Sequence, residues 1–214
     1  MPSQEKIIKS YNDTAESYAA NRINELSKKR LDRWMLTEFA ALNKNKGTCG
    51  DFGCGPGQTT KFLFDCGLVD IVGIDISPGM VNTARKHFPD IKFATGDLLA
   101  LPYPTAHFAS AVAFYAIVNF DYDQIGTAFT EVSRVLQNKG QFLFSFHVGE
   151  GIVHFDKANE IDVDVDLYFW PMERILTILR QSDFSIIDAI ERLPYPDIEY
   201  ASKRGYVWAE KNKT

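Results

Sequence analysis

Cysteine is scarce in this chain. Cys49, Cys54 and Cys66 are an odd number with no C-x-x-C spacing, which argues against a disulfide framework or a thiolate metal site and leaves reduced, partly buried thiols. A basic excess is also lacking. The net charge is −5, so a phosphate backbone is repelled unless a local patch overrides it. The densest basic cluster, Lys28, Lys29, Arg30 and Arg33, is interleaved with Glu25 and Asp32 and reads as a solvated helix face, so no nucleic-acid partner is expected. Long apolar runs are missing as well. The stretch from Phe108 to Phe120 is too short to span a bilayer, and Met1-Pro2-Ser3-Gln4-Glu5-Lys6 has no apolar segment of the signal-peptide kind. The expectation is a cytoplasmic protein with no membrane partner, a monomer or homodimer. There are no repeats and no low-complexity linkers.

What is present is core material. Apolar residues make up 45% of 214 positions, enough for one domain over 1–214 and too much for disorder. Leu31, Trp34, Met35, Phe39 and Leu42 recur at helical spacing and predict an amphipathic helix from about 25 to 43. Gly50-Asp51-Phe52 closes a first strand. Asp70 to Asp75 forms a second, followed by Ser77-Pro78 as N-cap and first turn of a helix that ends before Pro89. Ile91 to Thr95 is a third strand, and about 107–115 a fourth, apolar throughout as in a sheet covered on both faces. Ile125, Phe129, Val132, Val135 and Leu136 line one helix face, with Gly140 as its stop; Phe142 to Phe146 is a fifth strand. A helix from Pro171 to about Ser182 precedes two strands, 184–190 and 204–209, with no helix between them, so they pair antiparallel. Strands alternating with helices imply an α/β sheet.

The turn Asp51-Phe52-Gly53-Cys54-Gly55-Pro56-Gly57 lies between the first strand and the next helix, at the carboxyl end of the sheet where such folds bind ligands. A dinucleotide fingerprint needs a third glycine at 58, which is Gln58; no G-K-[ST] follows, so a triphosphate loop is excluded. Asp51 is unwelcome to a pyrophosphate and suits an ammonium group. Asp75 stands about 20 residues on, where an acid reaches ribose hydroxyls, although it also sits where it could cap the helix behind Ser77. Gly96-Asp97-Leu98 follows the third strand: a carboxylate for an adenine amine, or an aspartate capping a turn.

In D-F-G-C-G-P-G, V-G-I-D-I-S-P-G-M, F-A-T-G-D-L and E-V-S-R-V-L-Q-N-K-G-Q-F-L-F-S, in this order over about 48–148, the chain resembles class I S-adenosylmethionine-dependent methyltransferases. The resemblance implies a Rossmann-like three-layer sandwich with a seven-stranded, mostly parallel sheet whose last strand is antiparallel. It implies S-adenosylmethionine as cofactor and a small-molecule methyl acceptor as partner. Asp51 and the backbone of Gly53 would hold the methionine end, with Gly55 giving close approach. Asp75 would bind the ribose, Ile76 and Met80 flank the adenine, and Asp97 with Leu98 close over it. Tyr115 and Ala116 would pass near the methionyl group. Tyr11-Asn12-Asp13-Thr14-Ala15-Glu16-Ser17-Tyr18 resembles the leading helix that many small-molecule members fold over the cofactor, within a covering segment 1–45. Tyr11, Tyr18 and Arg22 then touch the ligand or pack the helix on the sheet. F-H-V-G-E, V-D-V-D-L, E-R-L-P-Y-P and E-Y-A-S-K-R-G-Y resemble a bacterial small-molecule group without a settled substrate.

Methyl transfer from an activated sulfonium rests on positioning and desolvation. A base is needed only for a hydroxyl or a protonated amine. His147, with an ordinary imidazole pKa, is one candidate and Tyr115 a second. Residues 148–172 fall where an acceptor lid sits; Tyr168-Phe169-Trp170 line an apolar pocket or cover the sheet edge. Asp162, Asp164 and Asp166 alternate with apolar neighbours, a strand with one wet face. The run begins like a calcium loop, but Leu167 replaces the required glycine and Pro171 intrudes. His87, His107 and His154 lack ligand spacing, so no metal is expected. Two other readings remain open: a nicotinamide-dependent oxidoreductase on a related fold, and a cofactor-binding module without turnover. The retained Asp51 disfavours aminopropyl transfer from a decarboxylated cofactor.

Overall fold

Three short runs with almost no exposed atoms, β1 (Cys49–Phe52), β2 (Ile71–Asp75) and β4 (Phe108–Phe114), form the centre of a parallel sheet in the computed structural model. Residues 3–158 and 160–213 are described. Met1, Pro2, Asn159 and Thr214 lie outside them, so the reading of the Met1-Pro2 start and the full 1–214 extent reach beyond the described residues. β3 (Lys92–Thr95) adds parallel to β2, and β5 (Leu136–Val148) parallel to β4. β9 (Lys203–Lys211) inserts antiparallel between β5 and β8 (Phe184–Arg192), giving the order β3-β2-β1-β4-β5-β9-β8. This is a Rossmann-like three-layer arrangement, with the expected antiparallel last strand. Parallel strands need crossovers, and the helices that supply them cover both faces. α2 (Arg30–Asn43), α3 (Gln58–Asp65) and α4 (Pro78–His87) pack on one side, α5 (Tyr122–Val135) and α6 (Met172–Gln181) on the other.

Local chemistry places the boundaries. Ser77 caps α4 by accepting from Met80 N at 3.1 Å with Pro78 in the first turn. Asp121 and Gln124 form a reciprocal capping box at α5. Ahead of the sheet, α1 (Gln4–Arg22) is joined to α2 by a 3₁₀ turn, Glu25–Lys28. Asn12 Oδ1 docks α1 on the start of α4, accepting from Ser77 Oγ and Gly79 N, each at 2.7 Å.

Several expectations are corrected. The helix expected from 25 to 43 is broken at Lys29, and its apolar stripe is rotated: Met35, Leu36, Phe39 and Ala40 are buried, whereas Trp34 is 61% and Leu42 48% exposed. The charged cluster is no wholly solvated face, because Lys29 and Asp32 are buried. Gly140 stops no helix; α5 ends at Val135 and β5 starts at once, passing through Gly140. The aspartate-rich stretch is a strand as expected, β7 (Ile161–Phe169), but it pairs with β6 (Gly151–Ala158) in a separate hairpin. β6 has no counterpart among the expected strands. The hairpin packs along α1, where Asp164 N donates to Ser10 Oγ at 2.9 Å.

Phe129 on α5 is fully buried against Phe142 and Phe144. Phe129→Ala is expected to cost ~3–5 kcal/mol of unfolding free energy, and Trp34→Ala no more than ~0.5 kcal/mol; denaturant melts of the two variants check the contrast.

Candidate active site

Because β1 to β5 run parallel, their carboxyl ends share one sheet edge, and a cavity of about 450 Å³ opens there beneath α1 and the β6–β7 hairpin. The glycine-rich turn forms its floor. Gly53 has φ +68°, and a Cβ there would fall 2.5 Å from Ala116 Cβ, so the turn and the end of β4 touch only because the side chain is missing. Gly55, at φ +53°, has nothing within 4 Å of where a Cβ would be; its open side faces the cavity. The Gly53 N–H is engaged with Ile74 O at 2.7 Å, which leaves the carbonyl as its free backbone group.

Two buried carboxylates flank this turn. Asp75 accepts from Gly55 N at 2.8 Å through one oxygen and from Ser77 N at 2.9 Å through the other. It ties the turn after β1 to the start of α4, so it caps the helix entry as well as lining the cavity. Burial raises its pKa. Asp51 accepts from Thr60 Oγ1 at 2.6 Å. Burial, reinforced by the charge of Asp75, pushes its pKa up to about 7. A buried acid held this far up is relieved by a cation.

All fourteen residues expected at the site line this one cavity: Tyr11, Tyr18 and Arg22 from the N-terminal helix; Asp51, Gly53, Gly55, Asp75, Ile76 and Met80 from the first two strand ends; Asp97, Leu98, Tyr115, Ala116 and His147 from the rest of the edge. Asp97 is already partnered, accepting from Leu99 N at 2.8 Å and from Gln4 Nε2 at 2.6 Å, so the turn-capping reading holds beside any ligand role. Tyr11 donates to Asn119 Oδ1 at 2.7 Å, and burial raises its phenol pKa. Tyr18 is pushed up to about 12, again by burial. The cover is shorter than 1–45: α1 and the turn after it reach the cavity, but from Met35 onward α2 packs into the core. Val163, Val165, Leu167 and Tyr168 of the hairpin close the other side. Tyr168 and Trp170 also belong to the core cluster, so both readings of that triplet are met in part.

Neither base candidate has the pKa expected of it. Burial, then the nearby Arg204 guanidinium, drive His147 down to about 3, and burial raises Tyr115. Tyr115 sits at φ +58°, a strained backbone for an aromatic, with its N–H donating to Ser145 O at 3.1 Å. The sequence reading missed a set of charged groups at this end. Lys29 lies 3.0 Å from Glu25 and 3.7 Å from Glu199. Arg192 bonds both oxygens of Glu199 and reaches Asp32 at 3.1 Å. Tyr206 donates to Asp32 at 2.8 Å. The usable signal was the acid–base spacing Glu25, Lys29, Asp32, which can mark a solvated face or a buried network.

Comparison with known proteins agrees with this geometry. Residues 50–140 match a methyltransferase domain family. A ubiquinone/menaquinone biosynthesis C-methyltransferase UbiE of Campylobacter jejuni is 31% identical over 153 residues, covering 65% of this chain and 63% of that protein. A malonyl-[acyl-carrier protein] O-methyltransferase of Serratia marcescens is 25% identical over 150 residues, covering 69% of this chain and 58% of its own. The chain thus spans less than two thirds of these relatives' length. Among solved structures, a SAM-dependent methyltransferase of Methanosarcina mazei superposes with a TM-score of 0.71 at 15% identity, over 79% of this chain and 95% of the other; it shares the fold. The described residues contain no helix long and apolar enough to cross a membrane.

The Asp51 shift yields a pH prediction for the free protein. A carboxyl whose pKa rises from 3.8 to about 7 on folding binds its proton more tightly in the native state. Its contribution therefore favours folding at low pH and declines as pH rises from about 4 to about 7, by at most ~1.4 kcal/mol per unit. Asp51→Asn is expected to remove that decline; thermal midpoints of both proteins across this range measure the difference.

Proposed function

The chain carries a class I S-adenosylmethionine-dependent methyltransferase domain, and on that premise we propose that it transfers a methyl group from this cofactor to a small-molecule acceptor. The observation that carries the reading is the pairing of an unobstructed Gly55 with two buried carboxylates, Asp51 and Asp75, at one sheet edge. Asp51 suits the cofactor's ammonium, which would relieve its buried charge. Asp75 has lone pairs left for two sugar hydroxyls while holding the turn. Ile76, Met80 and Leu98 offer apolar walls for the base, and Tyr11, Tyr18 and Arg22 roof it from α1.

When bound, the cofactor supplies an electrophilic methyl on sulfur. The protein's share is to bind, orient and keep water out, which is the task of α1 and the hairpin lid over 148–172. Asn119 links these covers: it accepts from Tyr11 and donates to Asp166 O at 2.7 Å. The relatives' names include both a C- and an O-methyltransferase. We take the protein to work in the cytoplasm, as a monomer or homodimer, without nucleic acid.

Calorimetric titration with S-adenosylmethionine and its demethylated product is expected to give binding of both, and absence of heat and of any thermal shift refutes the assignment. Asp75→Ala is expected to weaken binding by ~2–3 kcal/mol through two lost charge-assisted hydrogen bonds; unchanged affinity would remove the carboxylate from the ribose. Transfer of label from isotopic cofactor into a metabolite pool separates an enzyme from a silent binding module.

A further inference from the structure

We infer that the end of the cavity around Tyr115 is an anion subsite, which holds the methyl acceptor by a carboxylate or enolate oxygen using the Nε2–H of a neutral His147 and the Lys29 ammonium. The inference deepens the proposed function and rests on it for the identity of the ligand as acceptor. Hydrogen-bond direction favours one ring tautomer. Arg204 can only donate, and its Nη1 lies 2.5 Å from Ser202 Oγ. The Ser202 hydroxyl proton then has one acceptor in reach among the described residues, His147 Nδ1 at 2.7 Å. With Nδ1 accepting, the ring proton sits on Nε2. His147 lines the cavity, Ser202 does not, and Nε2 has no protein partner among the described residues. The ring therefore presents a donor to the ligand, not a base. Its lowered pKa agrees, since a protonated ring would face Arg204 through Ser202.

The surrounding charges converge on the same place. Lys29 Nζ is 5.2 Å and the Arg204 guanidinium 5.6 Å from the Tyr115 ring centre, and the His147 ring is 5.4 Å from it. The acids nearby already have partners. Glu199 accepts from Arg192 and from Tyr195 N, and Asp32 from Tyr206 and Arg192. Glu25 pairs with Arg22 at 3.3 Å and with Lys29. Donors are left over: Arg204 Nε is buried without a hydrogen-bond acceptor, and its nearest carboxylate, Glu199, is 3.8 Å away. Lys29, Arg192 and Arg204 are matched by Glu25, Asp32 and Glu199. A ligand anion would meet the donors that these pairs leave over, Arg204 Nε among them. Tyr200 of the β8–β9 loop closes the site edge-on to His147.

The test uses the full-length protein and needs no knowledge of the natural acceptor. Nitrogen NMR of the His147 ring is expected to show the neutral Nε2–H form from pH 5 to 8. Benzoate, benzyl alcohol and benzylamine are then titrated into protein saturated with S-adenosylhomocysteine. Benzoate is expected to bind about tenfold more tightly than either analogue, as one charge-assisted contact implies, and to shift the Nε2–H signal. His147→Gln, which keeps a donor but no titratable ring, is expected to retain benzoate, and Lys29→Met to lose it about tenfold. A ring protonated near neutral pH, an Nδ1–H form, or benzylamine binding as well as benzoate overturns the subsite. The comparison of probes on the unaltered protein stands even where Lys29→Met fails to fold. If S-adenosylhomocysteine itself does not bind, the methyltransferase reading fails separately, because the ring form is read on the free protein.

Discussion

The carboxylate of Asp75 is the fastening on which this site depends. Its two oxygens hold Gly55 N of the turn after β1 and Ser77 N at the entry to α4. One group thereby sets the conformation of two ligand-facing loops. Asn12 extends the fastening outward: by accepting from Ser77 Oγ and Gly79 N, it places α1 across the cavity mouth. The roof is thus referenced to the floor through two short links rather than through a long lever.

The two ends of the cavity solve different electrostatic problems. At the Asp51 end, acids buried with few donors are left in want of a cation. At the Tyr115 end, cations and acids are matched, and the Nε groups of Arg192 and Arg204 are buried without an acceptor among the described residues. Burying this many charges adds little to stability in itself, since desolvation offsets most of the attraction. Its persistence in a cavity wall is better understood as fixed polarity offered to a ligand. The displaced pKa values of His147 and Tyr115 fit that picture, because groups that do not titrate near neutral pH act by orientation.

Much of this was legible in the linear chain, and for a local reason. The turn from Asp51 to Gly57, Asp75 at a strand end, and Ser77-Pro78 are features of consecutive residues, so their geometry follows from backbone chemistry. The rotated stripe of α2 shows the limit of periodicity: Trp34 and Met35 are equally apolar, and only packing on the sheet selects Met35 for burial. Gly140 likewise reads as a helix stop until β5 runs beside β4, where a Cβ at 140 would fall 3.1 Å from Ala109 O.

The α/β order and the antiparallel pairing of the last two strands could be read from the linear chain, because each depends on near neighbours or on a repeating period; the motifs, through their resemblance to a known family, marked residues that line the cavity. The rest waited on contacts in space. Lys29 and Asp32 lie far along the chain from Glu199 and Arg204, and their charges meet only once the β8–β9 loop folds over the end of β5 and the turn before α2. The hydrogen bond of His147 likewise goes to a serine 55 residues away, a partner brought near only by the fold.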